Sequence, residues 1–281
     1  MLPSLTPPMS FADINGTQIF YHEVGSGTPC LVMHGGLGFD HTHMHPWLDP
    51  LGDVLRLVYY DHRGNGRSGR PPLETLTFEQ FSADAEALRR HLNLGPVVVL
   101  GHSYGGFIAL DYALRYPASV SHLILGSTAP AVDYWDEIQA NMRRRGATDA
   151  LVASFQLGGC QSDEDLRRHV AEVGDLNFSA RGGHLAESVF RNTVYSASAR
   201  ETCFQLLASY NVVSRLSDVR VPTLILSGSE DVFTPPSQAR RLHQGIPASE
   251  LITLDGSGHF TFVEAPDPFF TAVRDWLRRN S

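Results

Sequence analysis

Short apolar runs alternate with longer amphipathic stretches along most of this chain. Cys30 to Met33, Leu55 to Tyr60, Pro96 to Leu100, Val120 to Leu125 and Thr223 to Leu226 are apolar or nearly so throughout. Such runs predict strands buried on both faces of a parallel sheet, with Leu251 to Leu254 as a weaker last member. Between them, Thr77 to Leu92 sets Phe78, Phe81, Ala85, Leu88 and Leu92 at three- and four-residue steps. That is one helix face, and Thr77 with Gln80 has the spacing of a capping box. A closing helix is predicted from about Asp267 to Arg279, with Pro268 in its first turn and Phe269, Val273 and Leu277 on one face. At the start, Met9 to Ile14 and Thr17 to Val24 flank Asn15-Gly16, a strong hairpin signal. Strands alternating with helices predict an α/β fold built on a doubly wound, mostly parallel sheet.

The alternation breaks once. From Thr128 to about Ser209 the pattern is helical, with charged faces over Asp133 to Arg145 and Ser162 to Val173, and with Gly158-Gly159 and Gly182-Gly183 as punctuation. The expectation is a core domain of residues 1–127 and 210–281, interrupted by a helical cap of residues 128–209. Placed over the carboxyl ends of the strands, that insertion would be a lid.

Composition narrows the function. With 22 Lys and Arg against 30 Asp and Glu, the formal charge is −8, and no basic stripe invites nucleic acid. Three irregularly spaced cysteines, Cys30, Cys160 and Cys203, cannot all pair, which fits a reducing compartment. Residues 1–10 hold three prolines and no charged start followed by an apolar core, so no secretory signal is read there. No apolar run is long enough to span a bilayer. The expectation is a cytoplasmic protein; oligomeric state leaves no readable mark.

The chemistry starts at Gly101-His102-Ser103-Tyr104-Gly105, directly after the apolar run ending at Leu100 and before the helix-like stretch Tyr104 to Tyr116. A Gly-x-Ser-x-Gly in that context is a nucleophile elbow. The strand must become helix within one residue, which strains Ser103 and is tolerated only with small neighbours, here Gly101, Gly105 and Gly106.

With His34-Gly35-Gly36, Asp61 to Ser68, Gly228-Ser229-Glu230-Asp231 and Gly256-Ser257-Gly258-His259 in order, the chain resembles the α/β-hydrolase family over nearly its full length. The resemblance implies a triad in the order Ser103, Asp231, His259. Imidazole suits His259 as the base that takes the serine proton and later protonates the leaving group. Asp231 would hold the other ring nitrogen. Asp255 competes for that place, but lies too close to the histidine loop to reach back easily. The resemblance also assigns the oxyanion donors to the main chains of Gly36 and Tyr104. The expected pocket lining is His34, Leu37, His102, Trp135, Glu187, Val232 and Phe260, with His34 also holding its own loop.

Arg63 and Arg67 are expected to brace loops through backbone carbonyls. His41, His43 and His45 alternate as zinc ligands might, yet their loop-like setting and the lack of any supporting motif argue for no metal. No organic cofactor is needed either.

A serine at the elbow points to acyl chemistry, on an ester, lactone, thioester or amide. Within the family the chain looks nearest to proline iminopeptidases, with departures. Leu37 stands where those enzymes have proline, His102 where they have glycine, and Val232 where some carry an amine-binding carboxylate. Glu187 or Glu201 could supply another such carboxylate. Three readings follow: a hydrolase of small esters, lactones or amides; an iminopeptidase acting on short peptides; and a non-catalytic ligand receptor.

Overall fold

The computed structural model describes residues 9–157 and 159–281, with Gln156 and Leu157 described by their backbone alone. Residues 1–8, which hold most of the stretch read for a secretory signal, and Gly158 of the first glycine pair lie outside it.

Eight strands form one sheet: β1 (Ser10–Ile14), β2 (Thr17–Val24), β3 (Thr28–Met33), β4 (Leu55–Tyr60), β5 (Val97–His102), β6 (Val120–Gly126), β7 (Thr223–Gly228) and β8 (Ser249–Leu254). Their spatial order is β1-β2-β4-β3-β5-β6-β7-β8. The β1–β2 and β2–β4 pairs are antiparallel and every later pair is parallel. Asn15 and Gly16 turn the first hairpin with φ of 47° and 78°, as a type I′ turn requires.

Successive residues of the central strands face opposite ways and feed two separate cores. Leu31, Met33, Val97 and Val99 pack with α1 (Phe78–His91), α2 (Tyr104–Arg115) and, further along the sheet, α8 (Pro236–Gly245). Cys30, Val32, Val98 and Leu100 join the opposite core, with Phe269, Val273 and Trp276 of α10 (Pro266–Asn280). This is the doubly wound arrangement that the apolar runs predicted. The capping box of α1 is half made: Thr77 accepts from the Gln80 N–H at 3.1 Å, but the Gln80 side chain donates to Asp84 instead of returning to Thr77.

Between β6 and β7 run α3 (Trp135–Arg144), α4 (Asp149–Leu157), α5 (Asp163–Val173), α6 (Ala186–Phe190) and α7 (Ala197–Leu207). The two ends of this segment meet. Ala131 bridges Asn211, and the Val212 N–H donates to the Pro130 carbonyl at 2.9 Å. A short α9 (Thr261–Glu264) precedes α10. No described helix is long and apolar enough to cross a membrane.

Register fixes where the loops emerge. Met33 lies beside Gly101, His102 beside Gly126, Gly126 beside Leu226, and Gly228 beside Leu254. The carboxyl ends of five parallel strands are therefore level. The loops holding Gly35-Gly36, Ser103, Asp231 and His259 all leave from one edge of the sheet.

Candidate active site

Ser103 links β5 to α2 with φ 55° and ψ −119°, a backbone conformation costly for a residue with a side chain. It is held there from both sides. Its N–H donates to the Gly126 carbonyl at 2.9 Å, and its carbonyl accepts from the Gly106 N–H and the Thr128 hydroxyl at 2.9 and 2.8 Å. The glycines are spatial necessities. A Cβ on Gly101 would lie 2.5 Å from the Gly105 carbonyl oxygen, and one on Gly105 would overlap the Met33 carbonyl. Tyr104 is the first residue of α2, so its N–H has no partner within the helix and sits at the positive end of the helix dipole. Gly36 has φ 72°, and a side chain there would strike the Phe39 ring.

His259 follows β8 and Asp231 follows β7. His259 Nδ1 donates to Asp231 Oδ2 at 2.8 Å, and both residues are buried. Asp231 is itself pinned: Oδ1 accepts the Phe233 and Thr234 N–H groups at 2.9 Å each, and Oδ2 accepts the Thr234 hydroxyl at 2.7 Å. The His259 N–H donates to the Asn177 carbonyl at 2.7 Å, tying the histidine loop to the helical segment. Asp255, the competing carboxylate, is exposed and accepts from Ser229 at 3.2 Å. Among the described residues no hydrogen bond joins Ser103 Oγ directly to His259; the two are neighbours on the wall of one cavity. Such bonds often tighten only in the substrate complex.

That cavity measures about 170 Å³. Gly36, Leu37, Ser103, Tyr104, Thr234 and His259 line it from the core. Trp135, Ile138, Phe155, Val170, Val173, Phe190 and Phe204 line it from the helical segment. His169 and Arg200 also reach it, and no aspartate or glutamate is among its described lining residues.

Of the expected pocket residues, Leu37 and Trp135 do face the cavity, and five do not. His34 is buried beneath its loop, where Nδ1 donates to the Gly35 carbonyl at 2.9 Å and Nε2 accepts the His62 N–H at 3.1 Å. Burial lowers its pKa, keeping the accepting nitrogen free of a proton. The His102 ring lies behind His259, 4.9 Å from it and 5.0 Å from Phe260; burial holds its pKa well below the ordinary value. Phe260 stacks on Phe178 at 5.2 Å, packed into the core. Val232 packs with Ile138 and Met142. Glu187 is exposed and lies 3.7 Å from Arg191. Glu201 is also turned from the cavity: it accepts the Gly159 and Cys160 N–H groups at 3.1 and 3.3 Å and Arg200 Nη1 at 2.5 Å.

The arginines brace loops mainly through carboxylates. Arg63 grips Asp84 with two bonds of 2.5 and 2.7 Å, and only a single contact at 3.3 Å goes to a carbonyl, that of Asn15. Arg67 pairs with Asp40 at 2.7 Å. The three alternating histidines diverge. His41 donates to Asp61 at 2.6 Å, His45 pairs with Asp49 at 2.9 Å, and His43 is buried among rings with both nitrogens unpartnered. Asp40, His41 and Asp61 do converge, but their oxygens already receive Thr42, His41 and both the main chain and guanidinium of Arg67. The Arg67 charge occupies the role a cation would have.

Sequence reasoning missed Thr234, Asn177, His169 and Arg200. Thr234 alone had a local signal, since a side chain three residues after an aspartate can close a turn onto it. The others depend on how the helical segment folds back.

Comparison with known proteins agrees with this architecture. Residues 28–266 match the family model described as alpha/beta hydrolase fold. The proline iminopeptidase PfmaB of Pestalotiopsis fici is 29% identical, covering 96% of this chain and 100% of its own. A proline iminopeptidase of Lactobacillus helveticus is 30% identical, with 94% and 96% covered. A thermophilic esterase from Thermogutta terrifontis superposes with a TM-score of 0.78 at 23% identity, covering 97% of this chain and 99% of that one. The chain is a hydrolase and belongs to the alpha/beta hydrolase fold family.

Proposed function

We propose that the chain is a serine hydrolase that cleaves a carboxylic ester, lactone or amide bond of a small molecule through an acyl-enzyme. Ser103 Oγ attacks the carbonyl carbon as His259 Nε2 takes its proton. Asp231 keeps the proton of His259 on Nδ1, so Nε2 is free to accept, and stabilises the imidazolium that forms. The Gly36 and Tyr104 N–H groups receive the oxyanion. His259 then protonates the leaving group, and water deacylates Ser103 by the same route. The helical segment of residues 128–209 acts as a cap that excludes bulk water from the cavity.

The observation that carries this reading is one mainly apolar cavity bounded by both Ser103 and His259, without a carboxylate on its described wall. A free substrate amine would find no counter-charge there. The iminopeptidase reading draws on the full-length similarity to proline iminopeptidases. Against it stand Glu187 and Glu201, whose carboxylates are turned elsewhere. Relative kcat/KM decides, since promiscuous ester cleavage is common on such sites. Short p-nitrophenyl esters or acyl-homoserine lactones should exceed proline β-naphthylamide; preference for the naphthylamide would overturn the reading. Turnover that vanishes in Ser103→Ala would eliminate a receptor role.

A further inference from the structure

The polar groups on the cavity's helical wall are unusual for an otherwise greasy pocket. Arg200, on α7, is 5% exposed and reaches the cavity. Its Nη1 donates to Glu201, and its guanidinium carbon lies over the Phe204 ring, 5.5 Å from the ring centre. Among the described residues Nε and Nη2 have no hydrogen-bond partner. Glu201 itself is held outside the wall by the Gly159 and Cys160 N–H groups. His169, on α5, also lines the cavity, and its buried Nε2 is unpartnered. Burial, and next the Arg200 charge, lower its pKa, so it is a neutral ring that can donate one hydrogen bond. A buried donor left without an acceptor is costly, and a buried guanidinium remains charged. A carboxylate in the cavity would satisfy the guanidinium.

We propose that the cavity takes a substrate bearing a free carboxylate besides its scissile acyl bond, with Arg200 gripping that carboxylate and the His169 ring beside it on the wall. This inference rests on the acyl-hydrolase reading above and names its substrate class. The planar fork of arginine suits a carboxylate better than a neutral carbonyl.

The test compares kcat/KM for the p-nitrophenyl monoester of glutaric acid with that for p-nitrophenyl pentanoate, a chain of equal length without the charge. The anionic ester should be preferred. Arg200→Gln should lower the anionic-to-neutral ratio by about 10- to 100-fold, the usual worth of a charge-assisted bond. Arg200→Lys should retain part of the preference, and His169→Phe, on a separate helix, should lower it in the same direction. A ratio below one in the wild type, or one unmoved by both Arg200→Gln and His169→Phe, overturns the proposal. Calorimetry with pentanoate and pentanamide gives a readout free of turnover. The carboxylate should bind more tightly than the amide, and Arg200→Gln should remove that difference. If binding discriminates while Ser103→Ala still hydrolyses the esters, the carboxylate site stands and the serine mechanism falls.

Discussion

Asp231→Asn changes one oxygen to an amide nitrogen and should nearly abolish turnover, for a reason fixed by the local hydrogen bonds. The wild-type carboxylate only accepts: the Phe233 and Thr234 N–H groups at 2.9 Å each on Oδ1, and the Thr234 hydroxyl at 2.7 Å and His259 Nδ1 at 2.8 Å on Oδ2. An asparagine must place its oxygen where the two backbone N–H groups point, because its amide hydrogens would oppose them. The NH₂ then faces His259 and forces Nδ1 to accept, which moves the ring proton to Nε2. A histidine in that tautomer cannot take the serine proton. The expected loss in kcat is ~10⁴, the scale seen when a triad aspartate is amidated without loss of geometry. The fold should survive, since shape is unchanged and the Thr234 hydroxyl can rotate to accept from the amide. Steady-state hydrolysis of p-nitrophenyl acetate, with thermal melting as a control, measures both. Asp255→Asn is the matched comparison and should remain near wild type. An Asp231→Asn enzyme within tenfold of wild type, or a large loss in Asp255→Asn instead, would refute the reasoning.

Gly105→Ala should fail to accumulate as folded protein or melt far below wild type, because its Cβ would overlap the Met33 carbonyl on a rigid strand. Arg63→Met should cost about 3 kcal/mol or more in urea unfolding, since among the described residues it leaves the buried Asp84 carboxylate with only the Asn15 and Gln80 side-chain amides donating to it. Stability should also fall on acidification. Burial, and then His41 and His45, lower the His22 pKa to about 4 from an ordinary 6.5. The unfolded chain therefore binds more protons between these values, so the stabilisation is full above 6.5 and lost as the pH drops through 4. His34, His43, His62 and His102 are shifted the same way and add to it. His22→Gln should make the fall in melting temperature between pH 6.5 and 4.5 shallower; an identical slope would count against this assignment.

Much of the fold was legible because the sheet is buried on both faces. Strands such as Leu55–Tyr60 must then be apolar apart from the partly exposed Arg56, and the expected and observed ends coincide there. Boundaries slipped where strand ends turn functional: β5 continues through Gly101 and His102, and β7 through Ser227 and Gly228, none of them apolar strand formers. The loops at those ends were readable because the turns demand glycine at fixed offsets. The cavity wall was not. Amphipathic helices over residues 128–209 show which residues avoid water, but not whether a side chain faces the core or the cavity. Glu187, on an exposed helix face, and Val232, in the loop after β7, carry no local sign of where they settle, and Arg200 was overlooked, since neither its pairing with Glu201 nor its ring contact has a sequence period.

In the proposed mechanism Ser103 becomes acylated because His259 activates it. Incubating the protein with a fluorophosphonate and mapping the adduct by peptide mass spectrometry tests this most directly. One adduct per chain is expected, on the peptide containing Ser103, absent in Ser103→Ala and strongly slowed in His259→Ala. An adduct on another residue, or labelling of Ser103 that proceeds equally fast without His259, would contradict the account.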